Sequence, residues 1–63
     1  MTIGENLRRY RLAGGWTQEA LAHAAGVAHM TVSRLERDVQ EPSVTVLRKL
    51  ATALNVPLAA LLD

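Results

Sequence analysis

The residues that break helices and strands constrain this chain more than any other feature. Gly14-Gly15, Gly26, the stretch from Asp38 to Pro42, and Asn55-Val56-Pro57 divide it into short segments, none able to hold more than about four turns of helix. No run alternates apolar and polar residues, and no Asn-Gly or Asp-Gly pair lies between β-branched stretches, so strand and hairpin signals are missing. An all-α fold follows, a compact bundle of five short helices forming one domain over residues 1–63. A chain of this length buries only about 60% of the surface its unfolded form exposes, so the core must pack efficiently. The composition, 49% hydrophobic and 21% charged, supplies such a core and lies far from the balance of disordered chains.

Cysteine is absent. Disulfides, thiol nucleophiles and cysteine-ligated zinc are therefore excluded, and a reducing, cytoplasmic setting is expected. The longest apolar run, Val56 to Leu62, is too short to span a bilayer, and the N-terminus lacks the basic-then-apolar pattern of a signal peptide. A soluble protein with no membrane partner is expected.

Each segment carries its own start and stop signals. Thr2-Ile3-Gly4-Glu5 has the Thr-x-x-Glu form of a capping box, and a first helix runs from it to about Ala13 with Ile3, Leu7 and Tyr10 on one face. Gly14 and Gly15 supply the positive φ that ends it. Thr17 caps a second helix, whose apolar arc is Leu21, Ala22 and Ala25 and which ends before Gly26. Only Val27 and Ala28 separate that glycine from a third helix, about His29 to Arg37. At about 100° per residue, Leu35 and Glu36 fall beside Val32 on its inward face. Met30, Ser33, Arg34 and Arg37 share the opposite face, with His29 at its N-terminal edge. Ser43 caps a fourth helix, in which Val44, Leu47, Leu50, Ala51 and Leu54 form the strongest amphipathic pattern in the chain. Asn55 suits its C-terminal cap, and Pro57 suits the first turn of a last helix through Leu62.

Two helices meeting across a tight glycine turn, the second displaying polar and basic side chains, form the arrangement that lets a helix enter the DNA major groove. The stretch QEALAHAAGVAHMTVSRLER, from Gln18 to Arg37, resembles the helix-turn-helix of the phage Cro/repressor family, also called the xenobiotic-response-element family of bacterial regulators. Gln18, Ala22, Gly26, Val32, Leu35 and Glu36 fall at matching positions. So do Ile3, Leu7 and Arg11 before the motif, and Pro42-Ser43 and the Leu-x-x-Leu-Ala-x-x-Leu of 47–54 after it.

The resemblance implies a sequence-specific double-stranded DNA-binding transcriptional regulator, of repressor type, working in a bacterial or phage-infected cytoplasm. His29, Met30, Ser33 and Arg34 match base-reading positions. The planar fork of Arg34 suits guanine O6 and N7 together, the alternative being a phosphate contact or a free surface charge. Met30 either meets a thymine methyl group or is one of the scattered apolar residues that ordinary surfaces carry. His29 either donates to a base or phosphate or is idle. Gln18 is implied to contact a phosphate and to brace the recognition helix, and Thr31, Arg37 and Ser43 to touch the DNA backbone. The resemblance pairs Arg11 with Glu36 as a structural ion pair between helices 1 and 3.

Two departures from the family pattern bear on affinity. Ala28 stands where a Ser or Thr usually caps the recognition helix, which removes a capping interaction of about 1 kcal/mol. Asp38 replaces the common glycine after helix 3 and, with Glu41, makes the loop acidic where the family often offers Lys or Arg to DNA. Modest affinity for one domain is expected.

One recognition helix reads only a few base pairs, so a homodimer is expected on an inverted repeat whose half-sites lie about 34 Å apart. Leu58 and Leu62 of the last helix are its expected interface, with Val56 and Leu61 claimed by the core. The chain also suits the DNA-binding part of a longer regulator with a sensor domain beyond Asp63. No cofactor, metal or catalytic residue is implied: Glu19 and His23 stand four apart on helix 2, but no second His, Cys or glycine-rich phosphate cradle completes a site, and they read as a solvated pair. The rival reading is a protein-interaction module, such as an antitoxin or regulatory domain, that keeps this fold. The net charge of only +1 and the acidic loop are compatible with it.

Overall fold

The computed structural model describes residues 1–63 as five helices without strands. They are α1 (Ile3–Ala13), α2 (Gln18–Ala25), α3 (His29–Glu36), α4 (Val44–Leu54) and α5 (Leu58–Leu62). The expected capping chemistry is in place at three N-termini. The Thr2 hydroxyl accepts from the Glu5 amide at 3.1 Å while the Glu5 carboxylate accepts from the Thr2 amide at 2.8 Å, which completes the capping box. Thr17 accepts from the Ala20 amide and Ser43 from the Val46 amide. Ala28, with no side-chain acceptor, leaves α3 uncapped as expected.

Four helices stop by one device. Gly15, Gly26, Asp38 and Asn55 adopt φ of 76°, 72°, 57° and 59°, the left-handed conformation that turns a chain out of a helix. The amide after each reaches back five residues: Trp16 to Arg11, Val27 to Ala22, Val39 to Arg34 and Val56 to Ala51, at 3.0 or 3.1 Å. These bonds satisfy carbonyls that a helix end would otherwise leave unpaired. Asp38, read from sequence as a departure from glycine, therefore adopts a glycine's backbone conformation. Only one of the paired glycines does so, since Gly14 is right-handed at φ −85° and Gly15 makes the turn.

Inside lie Leu7, Leu21, Ala22, Val32, Leu35, Leu47, Leu50, Ala51 and Leu61, with Ile3, Tyr10, Trp16, Val46, Val56 and Leu58 among the partly buried residues around them. Every helix contributes to this core. α2 packs on α3 and α4, while α1 packs on α3 and α5, so α3 is seated between the first two helices and presents its remaining side outward.

Two boundaries and one stripe position differ from the sequence expectation. Arg37 caps α3 and does not continue it. Pro57 is the N-cap of α5, in extended conformation, so the helix starts at Leu58. Val44, the first residue of α4, is 59% exposed and outside the apolar stripe, and Val46 packs against the core in its place. No helix is long and apolar enough to cross a membrane.

Candidate nucleic-acid interface

The turn between α2 and α3 is built from small residues. Gly26 supplies the left-handed bend, Ala22 is buried between the helices, and half-buried Val27 packs on the core behind the bend. With Val32 and Leu35 at 0% and 2% exposure, α3 has its inward face fixed and its rotation about its own axis thereby set.

A charged network fixes the same helix from the side. Arg11 Nε donates to Glu36 Oε2 at 2.6 Å and its Nη2 to Oε1 at 3.0 Å, a bidentate fork between α1 and α3. Arg11 Nη1 donates to the Trp16 carbonyl at 2.8 Å, and Gln18 Nε2 to Glu36 Oε1 at 3.1 Å. The two charged side chains are only 10% and 4% exposed. The Glu36 carboxylate holds the Arg11 guanidinium above its ordinary range, overcoming the opposing effect of burial. The expected ion pair is thus present and ties three helices together. Gln18 joins it from α2 through this bond, and its amide keeps a second N–H for another acceptor.

The outward face of α3 carries the expected residues together. His29, Met30, Arg34 and Arg37 are exposed, Met30 at 46%, and Ser33 and Thr31 are half-buried. By helical angle His29, Ser33, Arg37, Met30 and Arg34 occupy one continuous arc opposite Leu35, with Thr31 outside it. Arg37 folds back so that Nε donates to the Ser33 carbonyl at 3.4 Å, which covers the C-terminal end of α3 and leaves its outer nitrogens free. Ser43 uses its hydroxyl oxygen to cap α4, and its O–H stays free to donate. Glu19 and His23 are both exposed on α2, and no group of three or more His, Cys, Asp or Glu is placed to hold a metal.

On α5, Leu58 is half-buried against the core and Leu62 is 52% exposed. Of the two, only Leu62 offers a largely free apolar side chain. Three structural contacts escaped the sequence reading. Asn6 is fully buried, its amide nitrogen donating to the Leu61 carbonyl at 3.1 Å and to that of Asp63, while its Oδ1 has no partner. The helical wheel holds its signal, since Asn6 lies within about 60° of Ile3 on the core-facing side of α1. The Thr2 hydroxyl donates to Asp38 Oδ2 at 3.0 Å, a pairing across 36 positions that no local pattern encodes. The Trp16 carbonyl likewise enters the Arg11 network only through the backbone.

This geometry agrees with three sets of known proteins. SutR, an HTH-type transcriptional regulator of Escherichia coli K12, is 35% identical over 61 residues, covering 97% of this chain and 34% of its own. SinR, an HTH-type transcriptional regulator of Bacillus subtilis, is 39% identical over 62 residues, covering 97% and 56%. The chain thus spans between a third and just over half of the length of these relatives. A crystal structure of SinR, the master regulator for biofilm formation, in complex with DNA superposes with a TM-score of 0.94 at 38% identity, covering 98% of this chain and 100% of that one. The P22 c2 repressor in complex with a synthetic operator superposes at 0.91 and 32% identity, covering 100% and 96%. The helix-turn-helix family model HTH_3 matches residues 7–61, nearly the whole chain, and the chain belongs to this helix-turn-helix family of the Cro/repressor type.

Proposed function

We propose that this domain binds double-stranded DNA in a sequence-specific way, as a transcriptional regulator of repressor type, with α3 in the major groove. The observation that carries the reading is the construction of α3. Its inward face and Glu36 are locked into the core and the Arg11 fork, while His29, Met30, Ser33 and Arg34 stand on the outward arc. A helix so fixed presents base-reading groups in one orientation, which direct readout requires. Arg37 on the same arc, Thr31 beside it, and Gln18 and Ser43 from the neighbouring segments serve the phosphate backbone, Gln18 through its second N–H and Ser43 through its O–H. Arg34 reads a guanine, and the Met30 side chain meets a thymine methyl group.

Two copies acting on an inverted repeat double the number of base pairs read, with Leu62, and the exposed part of Leu58, at the contact between them. The domain works without a cofactor, in the cytoplasm, alone or as the DNA-binding part of a longer regulator. Fluorescence anisotropy with mixed-sequence duplexes over a salt series tests the reading. Affinity is expected to fall steeply as salt rises, because each neutralised phosphate releases counterions. Absence of binding at low salt, or a response flat in salt, would replace it with the protein-interaction reading.

A further inference from the structure

The structure assigns Asp38 a positioning role: through a clasp to Thr2 it seats the C-terminal end of α3 on the first turn of α1 and so sharpens base selection by Arg34. The second half of this inference rests on the DNA-binding reading above; the first half does not.

Four residues of the chain make left-handed helix stops, and the clasp distinguishes Asp38 among them. At Gly15 and Gly26 a side chain would meet nothing within 4 Å. Asp38 adopts the same conformation at φ 57°, where an L side chain is strained relative to glycine. Its carboxylate is nevertheless engaged: Oδ2 accepts from the Thr2 hydroxyl at 3.0 Å. The other oxygen, Oδ1, lies 2.7 Å from where a Cβ on Gly4 would stand, and that Cβ would also overlap the Leu35 carbonyl oxygen. The end of α3 and the start of α1 are therefore in near backbone contact, which buried Gly4 permits and the Asp38 side chain fastens. The amides of Asp38 and Val39 bond back to Leu35 and Arg34 at 3.1 Å, so the clasped residue is directly joined to the turn that carries Arg34.

Charge alone gives the opposite expectation, since a carboxylate next to Arg34 and Arg37 opposes approach to phosphate. The clasp turns that carboxylate onto the first turn of α1, where the helix dipole favours an anion. Asp38 thus combines a general electrostatic cost with a gain in the definition of α3.

A double-mutant cycle of Thr2→Val and Asp38→Gly on this 63-residue chain tests the clasp. Glycine accepts the backbone conformation, and the N-cap lost with Thr2 is lost in both backgrounds and cancels. The first readout is hydrogen exchange of the Val39 amide, without DNA. The factor by which Asp38→Gly changes it is expected to be shifted about fivefold toward faster exchange when Thr2 is present relative to when residue 2 is valine, because relief of backbone strain is common to both backgrounds and the hydrogen bond is not. An equal factor in both backgrounds overturns the clasp. The second readout uses a duplex selected by the parent from a random pool, with the base pair changed at the position that Arg34→Ala relaxes. Asp38→Gly is expected to reduce the parent's preference there by about the same fivefold or less, while raising affinity for mixed-sequence duplex. Coupled exchange with an unchanged preference overturns the role in base selection. If the parent binds no duplex at low salt, the DNA reading and the selection role fall together, and the exchange cycle still decides the clasp.

Discussion

Replacing Arg11 with Met tests whether the network around Glu36 is structural. The substitution keeps most of the apolar stem and removes the guanidinium, leaving a Glu36 side chain only 4% exposed with the Gln18 amide as its one remaining donor. An unpaired buried charge of this kind costs about 3 to 5 kcal/mol. A domain of this length has about 3 to 9 kcal/mol of total stability, so the variant stands at the edge of folding. Unfolding entropy of about 0.13 kcal/mol/K for such a chain converts the loss into a fall in Tm of about 25 to 40 °C. Thermal unfolding followed by far-ultraviolet circular dichroism measures it directly. Glu36→Leu alone is expected to be costly too, because it strands the guanidinium. The double variant Arg11→Met/Glu36→Leu is expected within about 2 kcal/mol of the parent, since an apolar pair replaces an ionic one at little net cost. It still leaves the half-buried Trp16 carbonyl without its donor. A fall of less than about 8 °C for Arg11→Met would put the pair in the class of exposed ion pairs worth at most about 1 kcal/mol, and the reasoning would be wrong.

Other substitutions address separate parts of the argument. Arg34→Ala is expected to relax base preference at one position of each half-site by about 1 to 3 kcal/mol, whereas Gln18→Ala weakens all duplexes more evenly; identical specificity profiles from the two variants would refute the division into reading and positioning residues. Gly4→Ala is expected to destabilise by about 1 to 3 kcal/mol in urea unfolding, because its Cβ would overlap the Leu35 backbone. A gain, as helix propensity alone predicts, would show that the contact relaxes freely. Ala28→Ser supplies the missing cap of α3 and is expected to add about 1 kcal/mol, read as a higher urea midpoint; an unchanged midpoint would mean that those amides are satisfied without it. Glu5 is held below its ordinary value of 4.5 by the backbone and side-chain hydrogen bonds with Thr2. Its ionised form is thus favoured in the folded state, and the stability it contributes is complete above the unfolded value and disappears as pH falls through the lowered one. Glu5→Gln is expected to flatten the acid side of the stability profile, and an unchanged slope would count against the capping box as its source.

What the sequence conveyed depended on how local the controlling physics is. Caps and stops are set within five residues, so Thr2, Thr17, Ser43, Gly26 and Asn55 could be placed without knowing the fold. The rotation of α3 was equally legible, because Val32 and Leu35 define its inward side and the remaining positions follow by angle. Arg11 and Glu36 required the family resemblance: the helical wheel puts both near inward faces but does not say which partner each meets. The Thr2–Asp38 bond and the seating of Gly4 on Leu35 depend on how α1 crosses the end of α3. Local patterns carry no information about that crossing. Asn6 was missed for the same reason. Its place on the wheel, about 60° from Ile3, permits it to face the core, but nothing local names its partners, which are carbonyls at the end of α5.

An eight-residue helix such as α3 is far below the length at which a helix is stable alone in water, so its geometry is whatever the rest of the domain imposes. That imposition is uneven along its length. The C-terminal end has the Arg11 fork on Glu36, the clasp of Asp38 and the carbonyl contact from Arg37, while the N-terminal end has an alanine for a cap. Within the proposed function, Arg34 lies near the fastened end and His29 and Met30 in the unfastened first turn. Selectivity should then be strict at the base pair Arg34 meets and more permissive where the first turn reads. The same arrangement explains why the net charge of +1 says so little. Glu36 is neutralised by Arg11 inside the fold, whereas Asp38, bonded to a neutral hydroxyl, keeps its charge, so the cations on the outward arc of α3, Arg34 and Arg37, are opposed by Asp38 and not by Glu36.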